Sequence, residues 1–173
     1  LPLGGALTPD GKYFIVTNDD ERNIGALAPK YSEDRLNGAG LVPGGFTVAA
    51  IRTDDMQITA AVAAPDNISP NPGPKAPGVT QSDNTSALWL GVATRLDPAH
   101  PGSYIVYAAG GPSDQVNVYS LDAAGTLALQ TRIPIPVPTD PTKPNLGMAA
   151  PGGLTLSPDG SRLYVVNNNG NTV

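Results

Sequence analysis

Short runs of apolar and β-branched residues alternate with compact turns along most of this chain. Near the start, Leu3–Leu7 and Tyr13–Thr17 are two such runs, and Pro9-Asp10-Gly11 separates them. Proline sets φ at the second position of a turn, aspartate accepts hydrogen bonds from nearby amides, and glycine adopts positive φ. Aromatic and β-branched residues favour extended backbone. The segment therefore predicts two antiparallel strands joined by a tight turn.

The same segment recurs near the other end of the chain. Pro2–Asn18 and Pro151–Asn167 share a glycine-rich lead-in, a Pro-Asp-Gly turn and an apolar run that contains tyrosine and ends in asparagine. A strand–turn–strand unit that recurs within one chain is typical of a repeat architecture. We therefore predict a protein that is built from repeated units.

Further apolar runs lie between the two copies. Six more strands are predicted, at Phe46–Arg52, Gln57–Ala63, Ala87–Ala93, Tyr104–Ala108, Val116–Leu121 and Thr126–Ile133. Four successive antiparallel strands joined by short turns form one blade of a β-propeller. The predicted fold is therefore all-β: a β-propeller of four-stranded antiparallel blades, present as about two and a half blades of a larger ring.

The blade pattern also orders the longer loops. We predict a single partial β-propeller domain over residues 1–173, with one blade at 1–63, a second at 86–133 and the start of a third at 151–173. The insertions at 19–45, 64–85 and 134–150 emerge on one face, which we call the loop-rich face, and the short turns emerge on the other. Ile133–Pro138 is predicted to leave the second blade as polyproline II, because alternate residues lack an amide donor. Long loops on a rigid scaffold usually carry function, so function is predicted on the loop-rich face.

Composition narrows the classes of function. The 173 residues include 20 glycines, 19 prolines and no cysteine, and the formal net charge is −5. An acidic chain lacks the basic surface that nucleic acid requires, and a chain without cysteine has neither disulfides nor thiolate metal sites. No apolar run approaches the ~20 residues that span a bilayer, so no membrane span is predicted. This composition, with Leu1 first and no signal peptide, predicts the mature form of an exported bacterial protein, periplasmic or extracellular.

The two end segments resemble a known family. Tyr13–Asn18 and Leu163–Asn168, each preceded by Pro-Asp-Gly, resemble the YVTN-type β-propeller repeat. More narrowly, the chain is similar to the propeller half of bacterial proteins in which a phosphoesterase domain follows a YVTN propeller; lactonase-like propellers are the second relatives. The resemblance implies a complete ring of about seven blades. The metal-binding residues of the phosphoesterase domain match no position here, so no catalytic residue is assigned.

Candidate ligand-binding residues lie at strand ends on the loop-rich face. Asp19, Asp20 and Glu21 form a run of carboxylates that could bind Ca²⁺, which prefers oxygen ligands, or could be a solvated loop start. Asn18, Asn167 and Asn168 could bind a ligand in a central funnel or bond their own backbone in a turn. The metal is therefore left unknown, with Ca²⁺ as the candidate cofactor.

Two other residues are assigned structural roles. Trp89 is predicted to pack in the core, because the innermost strand of a blade packs against its neighbours. His100 is the single histidine and lies in a turn. We predict no catalytic role for His100, because the sequence places no acid or nucleophile beside it.

The leading functional hypothesis is a non-catalytic binding or scaffold module, part of a larger exported protein that carries a phosphoesterase domain. Its partners would be the remaining propeller blades, from the same protein or from a companion chain. One alternative is part of a metal-dependent lactonase-like hydrolase, whose funnel metal would activate water and be held by Glu, Asn and Asp from several blades. Another alternative is a structural component of a surface or matrix. Whether the protein is an enzyme stays open.

Overall fold

The computed structural model describes residues 2–18, 47–63, 90–136 and 149–168. These residues form an all-β structure. Its strands are β1 (Pro2–Leu7), β2 (Tyr13–Asn18), β3 (Thr47–Arg52), β4 (Ile58–Ala63), β5 (Val92–Leu96), β6 (Tyr104–Ala109), β7 (Gln115–Leu121), β8 (Leu127–Pro134), β9 (Pro151–Leu156) and β10 (Leu163–Asn167). The described residues include one 3₁₀ turn, Gly111–Ser113, and no helix that is long and apolar enough to cross a bilayer.

The strands form three antiparallel sheets in which chain neighbours pair. The first sheet has the order β1-β2-β3-β4, the second has the order β5-β6-β7-β8, and the third pairs β9 with β10. The all-β class and the two four-stranded antiparallel sheets were predicted from the sequence, and both predictions are confirmed. Residues 19–46 separate β2 from β3, but the other paired neighbours are joined by short connections, and there the turn sets the register of the strand that follows it.

The predicted position of the fifth strand is wrong. We expected Ala87–Ala93, but β5 begins at Val92 and continues through two polar residues to Leu96, which pairs with Tyr104 across the hairpin. Leu90 lies in a bend, and Gly91 lies so close to the third sheet that an added Cβ would be 2.6 Å from the carbonyl oxygen of Gly152. Residues 86–89, including Trp89, and Phe46 of the third predicted strand lie outside the described residues.

The predicted departure of Ile133–Pro138 from the sheet is also corrected. Ile133 and Pro134 belong to β8, where they pair with Val116 and Gln115. β8 is an edge strand in this sheet, and a proline without an amide donor is tolerated on the open side of an edge. The backbone departs only after Pro134, and residues 137 and 138 lie outside the described residues.

The three sheets stack face to face, with the second sheet in the middle. One face of the second sheet and the first sheet enclose a buried core. This core contains Tyr13, Ile15, Val48, Ala50, Tyr104, Val106, Ala108, Tyr119, Leu121 and Leu127. On the second face, Ala93, Tyr107, Val116 and Val118 pack with Leu154, Leu156, Leu163 and Val165. The alternation of side chains along β6 and β7 therefore supplies apolar residues to both faces.

The first strands of the sheets lie side by side, β1 against β5 and β5 against β9. The hydroxyl of Thr94 donates a hydrogen bond of 2.6 Å to the carbonyl of Leu7. The backbone at Gly4 touches the backbone of Leu90 so closely that no Cβ would fit there. Glycine at such positions permits backbone-to-backbone contact.

Candidate functional site

The repeated Pro-Asp-Gly turns share one hydrogen-bond pattern. In the first turn, the Thr8 hydroxyl donates to Asp10 Oδ1 at 3.0 Å and accepts from the amide of Tyr13 at 3.0 Å. The Asp10 carboxylate also accepts from the amide of Lys12. Gly11 adopts a φ of 73°, which suits glycine.

The second copy reproduces each of these contacts. The Ser157 hydroxyl donates to Asp159 Oδ1 and accepts from the amide of Arg162 at 3.0 Å. The amide of Ser161 donates to Asp159, and Gly160 has a φ of 69°. The sequence repeat is therefore also a repeat of side-chain function, in which a hydroxyl and a carboxylate together close the turn.

The first turn also connects the first and second sheets. The Tyr104 hydroxyl donates to Asp10 Oδ2 at 2.7 Å, and the Tyr13 hydroxyl donates to the carbonyl of Ala123 at 3.1 Å. The two tyrosine rings meet edge to face, with centroids 6.0 Å apart. Each of the two sheets therefore contributes one tyrosine whose hydroxyl donates a hydrogen bond to the other sheet.

These contacts change the acidity of both partners. Burial raises the pKa of Asp10, but hydrogen bonds from Tyr104, Lys12 and Thr8 outweigh it and hold that pKa well below its usual range. Burial and the Asp10 carboxylate together raise the pKa of Tyr104 to about 12. The Ser157 hydroxyl, followed by the amide and hydroxyl of Ser161, lowers the pKa of Asp159 to about 2. Both carboxylates are therefore ionised at neutral pH.

The turns that follow β1, β5 and β9 surround an open groove of about 600 Å³, which we call the central groove. Its rim contains Pro9, Pro98, Pro101 and Pro158, and its walls include Arg95, Asp97 and Asp159. The Nε of Arg95 donates to the Tyr107 hydroxyl at 3.0 Å. The groove therefore combines rigid apolar walls with fixed charges of both signs, which suits the binding of a polar ligand or peptide.

A second groove of about 380 Å³, the lateral groove, opens on the second sheet. It is lined by Asp97, His100, Ser103, Ile105, Val118, Tyr119, Ser120, Asp122 and Gln130. Ile105 and Val118 belong to the same apolar core as Leu163 and Val165 of β10. The lateral groove therefore continues the interface between the second and third sheets beyond β10.

The expectation that no acid lies beside His100 is wrong. Its Nδ1 lies 2.8 Å from Asp97 Oδ2, and this contact, with the amide of Ala99, lowers the pKa of Asp97. The spacing of three residues within one turn was the signal that could have shown this pair. His100 is highly exposed, and among the described residues no hydrogen bond joins its imidazole ring to a serine hydroxyl. The pair therefore lacks an engaged nucleophile.

The predicted asparagines lie at the ends of the sheets opposite the Pro-Asp-Gly turns. Asn18 ends β2, where its Nδ2 donates to the Thr47 hydroxyl of β3 at 3.1 Å. Asn167 ends β10 and lies opposite Pro151, as Asn18 lies opposite Pro2. The Asn168 amide donates to the carbonyl of Ala150, and its side chain touches Gly152. The structure thus places Asn18 and Asn167 at equivalent positions in separate sheets.

The predicted acidic run at 19–21 is not among the described residues. Asp19, Asp20 and Glu21 lie outside the described residues, as do residue 169 and most of the three insertions. Within ranges 2–18, 47–63, 90–136 and 149–168, no group of three histidine, aspartate or glutamate side chains could hold a metal ion.

Sequence reasoning missed two polar residues, Asn117 in β7 of the second sheet and Asp114 just before β7. Asn117 is fully buried, its Oδ1 accepts from Gln115 at 3.3 Å, and its Nδ2 has no partner among the described residues. Asp114 adopts a φ of 51°, and its carboxylate accepts from the amides of Ala149 and Ala150. Polar and apolar residues alternate around Asn117 in the sequence, which predicts that Asn117 faces solvent. The second sheet is covered on both faces, so both sets of alternating side chains are buried.

Comparison with known proteins does not assign the chain to a family. No protein-family model matches the chain, and no curated protein does. A solved structure of a functionally unknown protein from Desulfotomaculum acetoxidans DSM 771 is 13% identical, with a TM-score of 0.34. The match covers 96% of this chain and 49% of that one, so this chain spans about half the length of that protein.

Proposed function

We propose that this protein is a partial β-propeller of the YVTN type that works as a non-catalytic binding or scaffold module. The main observation behind this proposal is the packing of the second sheet. The first sheet packs on one face and the third sheet on the other, and β5 lies between β1 and β9. Side-by-side inner strands with face-to-face sheets are what radially arranged blades require. The repeated Pro-Asp-Gly hairpin supports the same interpretation.

The outward side of the third sheet supports the proposal that further blades complete the ring. Leu163 and Val165 face the second sheet, whereas Tyr164 and Val166 on the other side are 42% and 47% exposed. Neighbouring exposed apolar side chains on a sheet are typical of an interface. The additional blades come from the same protein or from a companion chain. The composition supports an exported complete protein, and the resemblance implies that this protein carries a phosphoesterase domain.

A metal and activity assay tests the non-catalytic assignment. We expect the purified chain to hold no stoichiometric Ca²⁺ or Zn²⁺ by elemental analysis, and to hydrolyse neither lactones nor phosphodiesters. Asp19→Ala and Asp20→Ala should match Asp54→Ala, a control in the β3–β4 turn. Stoichiometric metal that is lost with Asp19→Ala, together with lactone hydrolysis, would instead establish the lactonase-like alternative.

A further inference from the structure

We infer that the central groove binds an organic anion with one carboxylate and an apolar body, and that the side chain of Arg95 recognises the carboxylate. The inference rests on the proposed function and names a ligand class for it. The site lies among the short turns, whereas the sequence predicts function on the loop-rich face. It uses the ends of β5 and β9 and the turns that follow β1, β5 and β9.

Arg95 is held in the groove by contacts with two sheets. It follows Ala93 by two residues on β5, so both side chains lie on the face of the second sheet that packs on the third. Its Nε donates to the hydroxyl of Tyr107, and its Cδ lies 3.8 Å from the position of a Cβ added at Gly160. The second sheet therefore orients the guanidinium, and the turn between β9 and β10 lies against its aliphatic stem.

The guanidinium of Arg95 has donors left for a ligand. Arg95 is half-buried, and its hydrogen bond to Tyr107 uses Nε alone. None of the ion pairs between described residues includes Arg95. The two terminal nitrogens of a guanidinium match the two oxygens of a carboxylate. Because a charge that is partly removed from water needs a partner, this position favours a ligand with a carboxylate.

The carboxylates in the walls limit the ligand to one negative charge. Asp97 and Asp159 both line the groove. Hydrogen bonds within their own turns, first from His100 and from Ser157 respectively, lower the pKa of each, so both are ionised at neutral pH. Ionised carboxylates repel a second anionic group. Phosphates and dicarboxylates are therefore disfavoured.

The remaining walls favour an apolar body. They include two leucines and four prolines, namely Leu96, Leu156, Pro9, Pro98, Pro101 and Pro158. Proline has a fixed φ, so little conformational freedom is lost when a ligand binds between these turns. The groove volume of about 600 Å³ is typical of small-molecule sites. A ring or short aliphatic chain with one carboxylate fits these walls.

The test compares phenylpropionate with its uncharged amide, phenylpropionamide, by isothermal titration calorimetry on the full chain. We expect saturable binding of phenylpropionate, at least tenfold weaker binding of the amide, and a loss of affinity at high salt. Phenylsuccinate, which has two carboxylates, should bind more weakly than phenylpropionate. The peptide acetyl-Leu-Pro-Leu and its C-terminal amide distinguish the source of the carboxylate. Tighter binding of the free-acid peptide than of phenylpropionate would assign the site to a polypeptide C-terminus, and the reverse order to a small organic acid.

Variants test whether Arg95 is the recognition residue. Arg95→Gln should weaken the binding of phenylpropionate at least tenfold. Arg95→Lys should restore only part of the affinity, because lysine keeps the charge but lacks the planar pair of donors. Arg162→Gln is the matched control, since Arg162 is exposed in the turn between β9 and β10 and does not line the groove. It should leave binding unchanged, and circular dichroism verifies that each variant is folded.

Several outcomes would overturn the inference. They are equal binding of phenylpropionate and its amide, equal losses with Arg95→Gln and Arg162→Gln, tighter binding of phenylsuccinate, and no saturable binding of either the acid or the peptide. The comparison with the amide needs no variant, so it is decisive even if Arg95→Gln does not fold. A metal-free, inactive chain that binds neither carboxylate contradicts this inference alone, whereas a metal-dependent hydrolase that binds phenylpropionate through Arg95 contradicts only the proposed function.

Discussion

Asp10 and Asp159 are the same residue of the repeat in two different settings. Both accept hydrogen bonds within their own turn, but only Asp10 also accepts one from a neighbouring sheet, through the Tyr104 hydroxyl. Sequence reasoning predicted the turn because its Pro, Asp and Gly act locally. It could not predict the bond to Tyr104, because that contact joins residues of different sheets.

Replacing Asp10 should therefore cost more than replacing Asp159. We expect Asp10→Asn to lower the free energy of unfolding at pH 7 by about 1–2 kcal/mol, because hydrogen bonds to a charged group contribute about that much after allowance for partial exposure. Asp159→Asn, the matched control in the exposed turn, should have a smaller effect. Urea denaturation followed by circular dichroism measures both free energies of unfolding. Equal losses would contradict a stabilising hydrogen bond between Tyr104 and Asp10 across the sheets.

The same carboxylates predict how stability depends on pH. Their pKa values in the folded protein lie below the ordinary value of 3.8, so their stabilisation is complete above that pH and is lost as the pH falls through the folded values. We expect the unfolding free energy to fall between about pH 4 and pH 2. The fall should be smaller in Asp10→Asn, and an unchanged profile in that variant would argue against the low pKa.

At the scale of elements, the hairpins were predictable and the contacts between sheets were not. Most strands lie within a residue or two of their predicted positions, because each follows a turn with its own sequence signal. β5 differs because the run at 87–93 is the more apolar segment, whereas the segment that pairs with β6 contains Thr94 and Arg95. The two grooves could not be predicted, because the walls of each come from separate turns or strands.

The close contact of the inner strands can be tested with two glycines. In Gly91→Ala, the new Cβ would lie 2.6 Å from the carbonyl oxygen of Gly152, so β5 and β9 must separate. We expect a loss of about 1–3 kcal/mol of stability. Gly153→Ala is the matched control, because its Cβ would meet Val166 at 3.5 Å, an ordinary contact. Thermal unfolding compares the two variants, and equal effects would contradict backbone contact as the cause.

At the scale of the whole molecule, the exposed face of the third sheet determines whether the isolated chain self-associates. Tyr164 and Val166 are exposed on the third sheet, which the proposed function assigns to the interface with another blade. We expect the isolated chain to associate as its concentration rises, because burial of apolar surface favours contact. Light scattering should show less association for Tyr164→Glu combined with Val166→Glu.

A matched charge change elsewhere provides the control for that experiment. Met56 is 68% exposed in the β3–β4 turn, far along the chain from the third sheet. Met56→Glu should leave the association unchanged. A compact monomer at every concentration would contradict the proposal that the exposed face of the third sheet is an interface with another blade.

The middle position of the second sheet has a consequence for folding cooperativity. In a stack of repeats, the stability of each unit is the sum of its own term and the terms of its neighbours. The second sheet gains from two neighbours, whereas each outer sheet gains from one described neighbour. Native-state hydrogen exchange should therefore find the slowest amides in β6 and β7, and the outer sheets should open first. The second sheet would then act as the nucleus that keeps the two ends of the stack in register.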